Sequence, residues 1–315
     1  MKTAKYKKNI LITGGCGNVG GSLARRLVQD PGNHITIVDN LITGSKNKLP
    51  SKDFSNWSFY HKDCNDMSAM TEIMTSFHFD YVFHYAALVG VKRTLDSPIM
   101  VLDDIKGIEN MLALSSQTNV KRFFYSSSSE VYGEPVEFPQ QEDTTPLNSR
   151  LPYAIVKNVG EAFVKSYYKE YNLNFSIFRF FNTYGPLQSK DFVMAKFINQ
   201  ALSGNDLTIY GDGSQTRTFC YVEDNLDVVE SILRNNLANN EILNIGNSLE
   251  ISMLSLAEKI IKICNSTSKI VHLPALEEGD MTRRLPDISK MQKILGRDLT
   301  SIDDGIEIMV KFNSS

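Results

Sequence analysis

The stretch ILITGGCGNVGGSLARRL, Ile10 to Leu27, restricts the possible folds more than any other part of the chain. An apolar run ends at Thr13, Gly14, Gly17 and Gly20 follow at three-residue intervals, and a helical pattern begins at about Asn18. Glycines at that spacing permit a tight turn and the close approach of a pyrophosphate. The helix N-terminus then faces the phosphates with unpaired N–H groups and a partial positive charge. In an isolated loop such spacing is weak evidence, but here strand, turn and helix agree. The next apolar run, HITIVDN, ends in Asp39, 19 residues after Gly20. A carboxylate there accepts the hydroxyls of an adenosine ribose and repels a 2′-phosphate. No basic residue follows at once in VDNLITG, so the site is expected to take NAD rather than NADP. The plain alternative for Asp39 is a strand-ending turn residue.

Short runs rich in Val, Ile, Phe and Tyr recur at 9–13, 34–40, 57–63, 79–86, 120–128 and 175–182. They have the continuous apolar character of strands buried on both faces of a parallel sheet. Segments 18–29, 66–76, 95–117 and 153–171 carry apolar residues at helical spacing, so strands and helices alternate to about residue 180. That order predicts an α/β fold with a doubly wound parallel (Rossmann) sheet over 1–181. After NTYGP the pattern turns mixed, with 192–202 and 256–264 helical and 207–213 strand then turn. A smaller α/β lobe is expected over 182–315, with part of 218–245 returning to the first domain. No internal repeat or low-complexity linker separates the two.

Composition removes several function classes. Of 315 residues, 42% are apolar and 22% charged, and the net charge of −3 is spread along the chain, so no basic face for nucleic acid is present. Cys16, Cys64, Cys220 and Cys264 lie at least 44 residues apart, which suits neither a zinc site nor a disulfide scaffold. No metal is expected, and reduced thiols in a cytoplasm are. The N-terminal MKTAKYKKNILITGG is apolar for only four or five residues before the glycines, and no apolar run reaches the ~18 residues of a membrane span. Neither signal peptide nor membrane segment is expected.

With these motifs in hand, the chain resembles the extended short-chain dehydrogenase/reductase family, the NAD-dependent nucleotide-sugar epimerases, dehydratases and decarboxylases. The likeness rests on the three glycines, VDN at 38–40, KDCND at 62–66, HYAAL at 84–88, SSSSEVYG at 126–133, YAIVK at 153–157, FNTYGP at 181–186, RTFCYVED at 217–224 and NIGN at 244–247. It implies that Gly14, Gly17, Asn18, Val19 and Gly20 hold the cofactor's phosphates, and that Asp39, Asn40, Asp63 and Cys64 lie at its adenosine. Tyr85, Ala86 and Ala87 would pass its central phosphates and nicotinamide ribose, with Val89 beside the substrate.

The resemblance also places a catalytic Ser at Ser128 and joins it to Tyr153 and Lys157. Positions four apart share a helix face, so Lys157 is expected beneath Tyr153, where its charge lowers the phenol's pKa. Tyr153 would then take the proton of a sugar hydroxyl as the ring carbon gives up hydride, with Ser128 bonded to the same oxygen. A lone YxxxK is more often a surface pair, but this one follows Ser128 at 25 residues. Ser126 and Ser127 are expected only to end the strand and satisfy backbone groups. Ser129 and Glu130 stand where 4,6-dehydratases carry Asp and Glu. Ser129 is no general acid and is expected only to touch the substrate, whereas Glu130 can act as a base or hold a substrate hydroxyl, and the Ser-Glu pair resembles the decarboxylases.

In the second lobe the resemblance assigns Asn182 and Arg217 to the substrate's diphosphate, a task that suits the planar guanidinium fork. Pairing with Glu223 or Asp224 is the structural alternative for Arg217. The segment ALEEGD, 275–280, has acids where epimerases offer a basic residue, and Arg283 and Arg284 in MTRRLPDISK are the candidate substitutes, in a stretch closer to the decarboxylase branch. LPYAIVKN lacks the charged residues that flank the decarboxylase tyrosine. The expectation is therefore oxidation at C4 of a nucleoside-diphosphate sugar, ending in 4-epimerisation or release of the 4-keto sugar, with a slight lean to epimerisation. Decarboxylation and 4,6-dehydration are the alternatives, and a non-catalytic nucleotide-binding protein is the reading from another class. A homodimer built on helices 95–117 and 153–171 is also expected.

Overall fold

The computed structural model describes residues 7–134, 136–275 and 283–314. The chain falls into two compact units. Residues 7–131, Ser149–Arg179 and Asn236–Leu243 form the first.

Its elements alternate as the apolar runs require. In order they are β1 (Lys8–Thr13), α1 (Asn18–Leu27), β2 (Asn33–Asp39), β3 (Trp57–His61), α2 (Met67–Ser76) and β4 (Tyr81–His84). Then come α3 (Val91–Asp96), α4 (Pro98–Gln117), β5 (Arg122–Ser128), α5 (Pro152–Tyr171) and β6 (Phe175–Phe180). The seven-stranded sheet runs β11-β6-β5-β4-β1-β2-β3, where β11 is Glu241–Ile245. The pairs β1 to β2, β1 to β4, β2 to β3 and β4 to β5 are parallel, with Thr13 level with Val38 and His84. Ile10, Leu11, Ile12, Val82, Phe83, Phe123 and Phe124 are wholly buried, which is why these strands read as unbroken apolar runs. Phe83 stacks on Phe124 with ring centroids 4.2 Å apart.

Two elements differ from expectation. The helix expected over 95–117 is two helices, broken where Ser97 (φ −134°, ψ 58°) precedes Pro98. Proline disfavours helical geometry in the residue before it and supplies no N–H itself. The part of 218–245 that returns to this unit is only Asn236–Leu243, tied by Asn240 N to Phe175 O (2.7 Å), Ser176 Oγ to Ala238 O (2.7 Å) and Arg122 Nη1 to Leu237 O (2.8 Å).

The second unit comprises Tyr132–Asn148, Phe180–Asn235 and the described part of 244–315. Its elements begin with β7 (Thr183–Tyr184), α6 (Val193–Leu202), β8 (Leu207–Tyr210), β9 (Thr216–Thr218), β10 (Cys220–Tyr221) and α7 (Val222–Asn235). They continue with β12 (Glu250–Ser252), α8 (Met253–Ile263), β13 (Ile270–Leu273), α9 (Ser289–Leu295) and α10 (Ile302–Ser314). Three small ribbons pair β10 with β7, β12 with β9 and β13 with β8. Tyr132–Asn148, expected in the first domain, belongs here because Gln140 N bonds Leu285 O (2.7 Å), Asp287 N bonds Gln140 O (2.8 Å) and Asn244 N bonds Glu142 Oε1 (2.9 Å). Among the described residues no helix is long and apolar enough to cross a membrane, and no cluster of His, Cys, Asp and Glu could hold a metal.

Candidate active site

In the first unit the chemistry gathers at the C-terminal ends of the parallel strands, where open α/β sheets take their ligands. At the end of β1, Gly14 adopts φ +70°, donates its N–H to Val38 O (2.8 Å), and accepts from Gly17 N (3.0 Å). A Cβ on Gly14 would lie 2.6 Å from Ala86 N, and one on Gly20 2.4 Å from Gly14 O, so neither position admits a side chain without moving backbone. Helix α1 starts from Gly17 with no side-chain cap and no acid in its first turn. A helix start without a side-chain cap or an acid favours an anion, and the cradle fits a dinucleotide's pyrophosphate.

Asp39 ends β2 and is anchored by two backbone donors, Cys16 N to Oδ2 (2.9 Å) and Leu41 N to Oδ1 (2.8 Å). Asn40 donates to Asp63 Oδ2 (2.9 Å), so both residues expected at the adenosine stand side by side. Gly44, which the sequence reading passed over, folds back on Asp39; a Cβ there would come 2.6 Å from Oδ1. Cys64 is buried and its thiol is pushed up to about 12, chiefly by that burial, so it is a packing residue beside Asp63 and no nucleophile.

After β4, Tyr85 N bonds Thr13 O (3.1 Å) and Ala86 N reaches Thr13 Oγ1 (3.4 Å), which sets Tyr85, Ala86 and Ala87 beside the glycine turn. His84 is neutral: burial, then the Lys157 charge, drives its imidazole down to about 3, and Nδ1 shares a hydrogen bond with Thr13 Oγ1 (2.9 Å). Leu88 N donates to Asp104 Oδ2 (2.7 Å), and Val89 O accepts from Arg93 Nη1 (2.7 Å). Burial raises the pKa of the Asp104 carboxyl, while Lys157 and the Leu88 N–H oppose that rise.

Strand β5 delivers the serines, and all seven of its residues are buried. Lys157 Nζ donates to Ser126 O (2.6 Å), lies 3.3 Å from Ser126 Oγ, and sits 5.8 Å from the centroid of the Tyr153 ring. Burial lowers its pKa to about 8, with the Asp104 charge acting the other way. Ser128 Oγ accepts from Glu130 N (3.2 Å), Ser129 is buried, and Glu130 is half-buried. The structure corrects one expectation: Ser126 and Ser127 do more than close the strand. Ser126 anchors Lys157, and Ser127 Oγ donates to Glu161 Oε1 at 2.6 Å. Glu161 and its partner Arg179 were missed, although a charge inside the strand run FSIFRFF and an acid four residues after Lys157 were visible signals.

Within the second unit, Asn182 has φ +36° and donates from Nδ2 to Thr218 O (2.9 Å). Arg217 lies on β9, nearly buried, with Nη1 on Thr216 O (2.7 Å). Asp224 bonds Arg297 Nη1 (2.7 Å) and the N and Oγ1 of Thr300 (2.9 Å each). The two candidate arginines also part: Arg283 forks onto Glu250 (2.8 and 2.6 Å) and stacks on Phe138, whereas Arg284 is buried. Residues 276–280 of ALEEGD lie outside the described residues.

Comparison with known proteins agrees with this geometry. The profile of the NAD dependent epimerase/dehydratase family matches residues 10–246. The chain is 36% identical over 303 residues to UDP-N-acetyl-alpha-D-glucosaminuronate decarboxylase of Bacillus cytotoxicus, covering 91% of this chain and 92% of that protein. It is 33% identical to UDP-glucuronic acid decarboxylase 1 of Danio rerio, over 98% of this chain and 73% of that one. Among solved structures, the UDP-glucose 4-epimerase of Thermotoga maritima with UDP-glucose superposes with a TM-score of 0.90 at 29% identity, covering 97% and 98% of the two chains. The three glycines after β1, Asp39 at the end of β2 and Tyr153 with Lys157 on one helix stand in the order expected from the sequence, and the chain belongs to the NAD dependent epimerase/dehydratase family, as an enzyme of the extended short-chain dehydrogenase/reductase type.

Proposed function

We propose that this enzyme decarboxylates a UDP-linked uronic acid by way of a 4-keto sugar. The likeness to the Bacillus cytotoxicus decarboxylase over nine-tenths of both chains carries the reading, and the Ser129-Glu130 pair supports it. It replaces the slight lean to epimerisation, which rested on frequency among relatives alone.

NAD would be held by Gly14, Gly17, Asn18, Val19, Gly20, Asp39, Asn40 and Asp63 and supplies the hydride acceptor for C4. Tyr153 takes the proton of the 4-hydroxyl, Lys157 supplies the adjacent positive charge, and Ser128 donates to the same oxygen. Once C4 is a ketone, the C5 carboxylate is a β-keto acid. The electron pair of the C5–C6 bond moves toward the C4 oxygen, carbon dioxide leaves, C5 takes a proton from water, and the 4-ketone recovers the hydride at C4 and the Tyr153 proton at its oxygen, so that carbon dioxide alone is lost. Tyr153 and Ser128, as hydrogen-bond donors, stabilise the charge growing on that oxygen. Glu130 holds a sugar hydroxyl, and within the second unit Asn182, Arg217 and Arg284 are the candidates for binding acidic groups. Arg283 is left as a structural partner of Glu250.

The test is to incubate the purified protein with UDP-glucuronate, UDP-N-acetylglucosaminuronate, UDP-glucose and UDP-N-acetylglucosamine, and to follow products by NMR and mass. Loss of carbon dioxide from a uronate is expected. Conversion of a neutral sugar to a product of unchanged mass, with the uronates untouched, would refute decarboxylation in favour of epimerisation. We further propose a cytoplasmic homodimer packed through α4 and α5, whose exposed apolar residues include Ile99, Met100 and Leu102. Light scattering that returns a monomer at micromolar concentration would defeat it.

A further inference from the structure

Helix α5, which carries Tyr153 and Lys157, is fastened to β5 at three successive points. Lys157 donates to the carbonyl oxygen of Ser126 at 2.6 Å. At Gly160 a Cβ would lie 2.0 Å from Tyr125 Oη, so the helix backbone rides directly on that ring. At Glu161, Oε1 accepts from Ser127 Oγ (2.6 Å) and Arg179 Nε (2.8 Å), while Oε2 accepts from Arg179 Nη2 (2.8 Å). Glu161 and Arg179 are only 1% and 2% exposed.

Burying an ion pair this deeply is a poor route to stability, since desolvation offsets most of the Coulombic gain. Arg179 serves another purpose here. Its fork occupies both carboxylate oxygens from one side and fixes the plane in which Oε1 meets the Ser127 hydroxyl. Ser127 stands between Ser126, which holds Lys157, and the candidate Ser128. We infer that Glu161, oriented by Arg179, is a positioning residue for the C4 oxidation: through Ser127 it locks the end of β5 against α5 and so sets the spacing of Ser128, Tyr153 and Lys157. The inference rests on the proposed C4 chemistry, whose first step is common to every branch of the family. Groups that act on one proton and one hydride tolerate little displacement, and an error of about 1 Å costs on the order of 10²-fold in rate.

The experiment sets stability against turnover. In the double variant Glu161→Met/Arg179→Met both charges go and the volume is kept, a change that is often neutral or stabilising, but Ser127 loses its acceptor. Glu161→Gln keeps an oxygen for Ser127 and leaves the Arg179 charge buried with a weaker partner. Urea unfolding, NAD affinity by calorimetry, KM, kcat and single-turnover formation of reduced nicotinamide are measured with the UDP-sugar that the parent enzyme accepts. The double variant is expected to unfold at a higher urea concentration than Glu161→Gln and to keep NAD affinity and KM within about threefold of the parent. Its kcat and single-turnover rate are expected to fall by about 10²-fold. Glu161→Gln recovers most of that rate despite its lower stability, and Ser127→Ala reproduces part of the loss, which Ser127→Thr restores. A double variant turning over at the parent rate, or rates that rank with the urea midpoints, would overturn the inference and leave the C4 reading intact. A parent enzyme that forms no reduced nicotinamide and no product with any UDP-sugar would overturn both.

Discussion

The ends of β1 and β5 are two strand termini of one sheet, built on opposite principles. At β1 the working surface is backbone: Gly14 at positive φ, its carbonyl taken by Gly17 N, and a helix start with no side-chain cap. At β5 it is side chains: buried serines against Lys157 and Glu161. Holding a bulky anion needs space and aligned N–H dipoles, whereas moving a proton needs titratable groups held in place. The first site should tolerate no added atom, and the second no removed one.

Removing one atom from the β5 side is expected to have the largest effect. Tyr153→Phe keeps the ring and loses the hydroxyl, so turnover should fall by on the order of 10²–10⁴ while NAD affinity stays near the parent's. Steady-state kinetics with calorimetric NAD titration checks this, and parent-like turnover would end the assignment. Adding atoms on the β1 side comes next. Gly20→Val would drive a Cβ to 2.4 Å from Gly14 O, where only backbone can yield. Strain of this kind typically costs about 1–3 kcal/mol, read as a lower urea midpoint, and NAD affinity should fall at least about tenfold, since one tenfold step is only about 1.4 kcal/mol. Loss of NAD affinity in Tyr153→Phe with none in Gly20→Val would reverse the comparison.

A smaller effect concerns protons. Burial lowers the Lys157 pKa from 10.5 to about 8, so between those values the unfolded chain binds more protons than the folded one. Folding stability from this group therefore rises with pH across that window. The parent should gain stability between pH 8 and 10 relative to Lys157→Met in paired urea titrations, while turnover that needs the cation declines above about pH 8. A stability difference independent of pH would show that the lysine is not desolvated. The smallest change is expected from Asp104→Asn, which keeps an oxygen for Leu88 N and removes the charge that opposes deprotonation of Lys157. The alkaline limb of its kcat profile should move to lower pH by less than about one unit. A shift to higher pH would contradict that role.

Much of the first unit was legible because it depends on spacing along the chain. The three glycines, Asp39 at the end of β2, and Tyr153 with Lys157 one turn apart are local patterns, and each stands where the pattern put it. The course of the reaction was less legible, since epimerases, dehydratases and decarboxylases share the residues of the first step. There the overall likeness to a decarboxylase outweighed the missing charged residues around Tyr153 in LPYAIVKN.

The sequence by itself determined the strand-turn-helix that cradles a dinucleotide, the alternation that makes the sheet parallel, and the helix face shared by Tyr153 and Lys157. Each follows from backbone conformation or helical period within a few residues. Only the tertiary structure decided that Ser127 serves Glu161, that Glu161 takes Arg179, that Asp224 takes Arg297, and that Arg283 is committed to Glu250. It likewise decided that Glu241–Ile245 completes the sheet beside β6. Those partners lie far apart along the chain, 18 residues for Glu161 with Arg179, 33 for Glu250 with Arg283 and 34 for Ser127 with Glu161. Which distant polar groups meet is set by where strands and helices cross, because a buried charge or donor must find its partner among whatever the packed chain brings within about 3 Å.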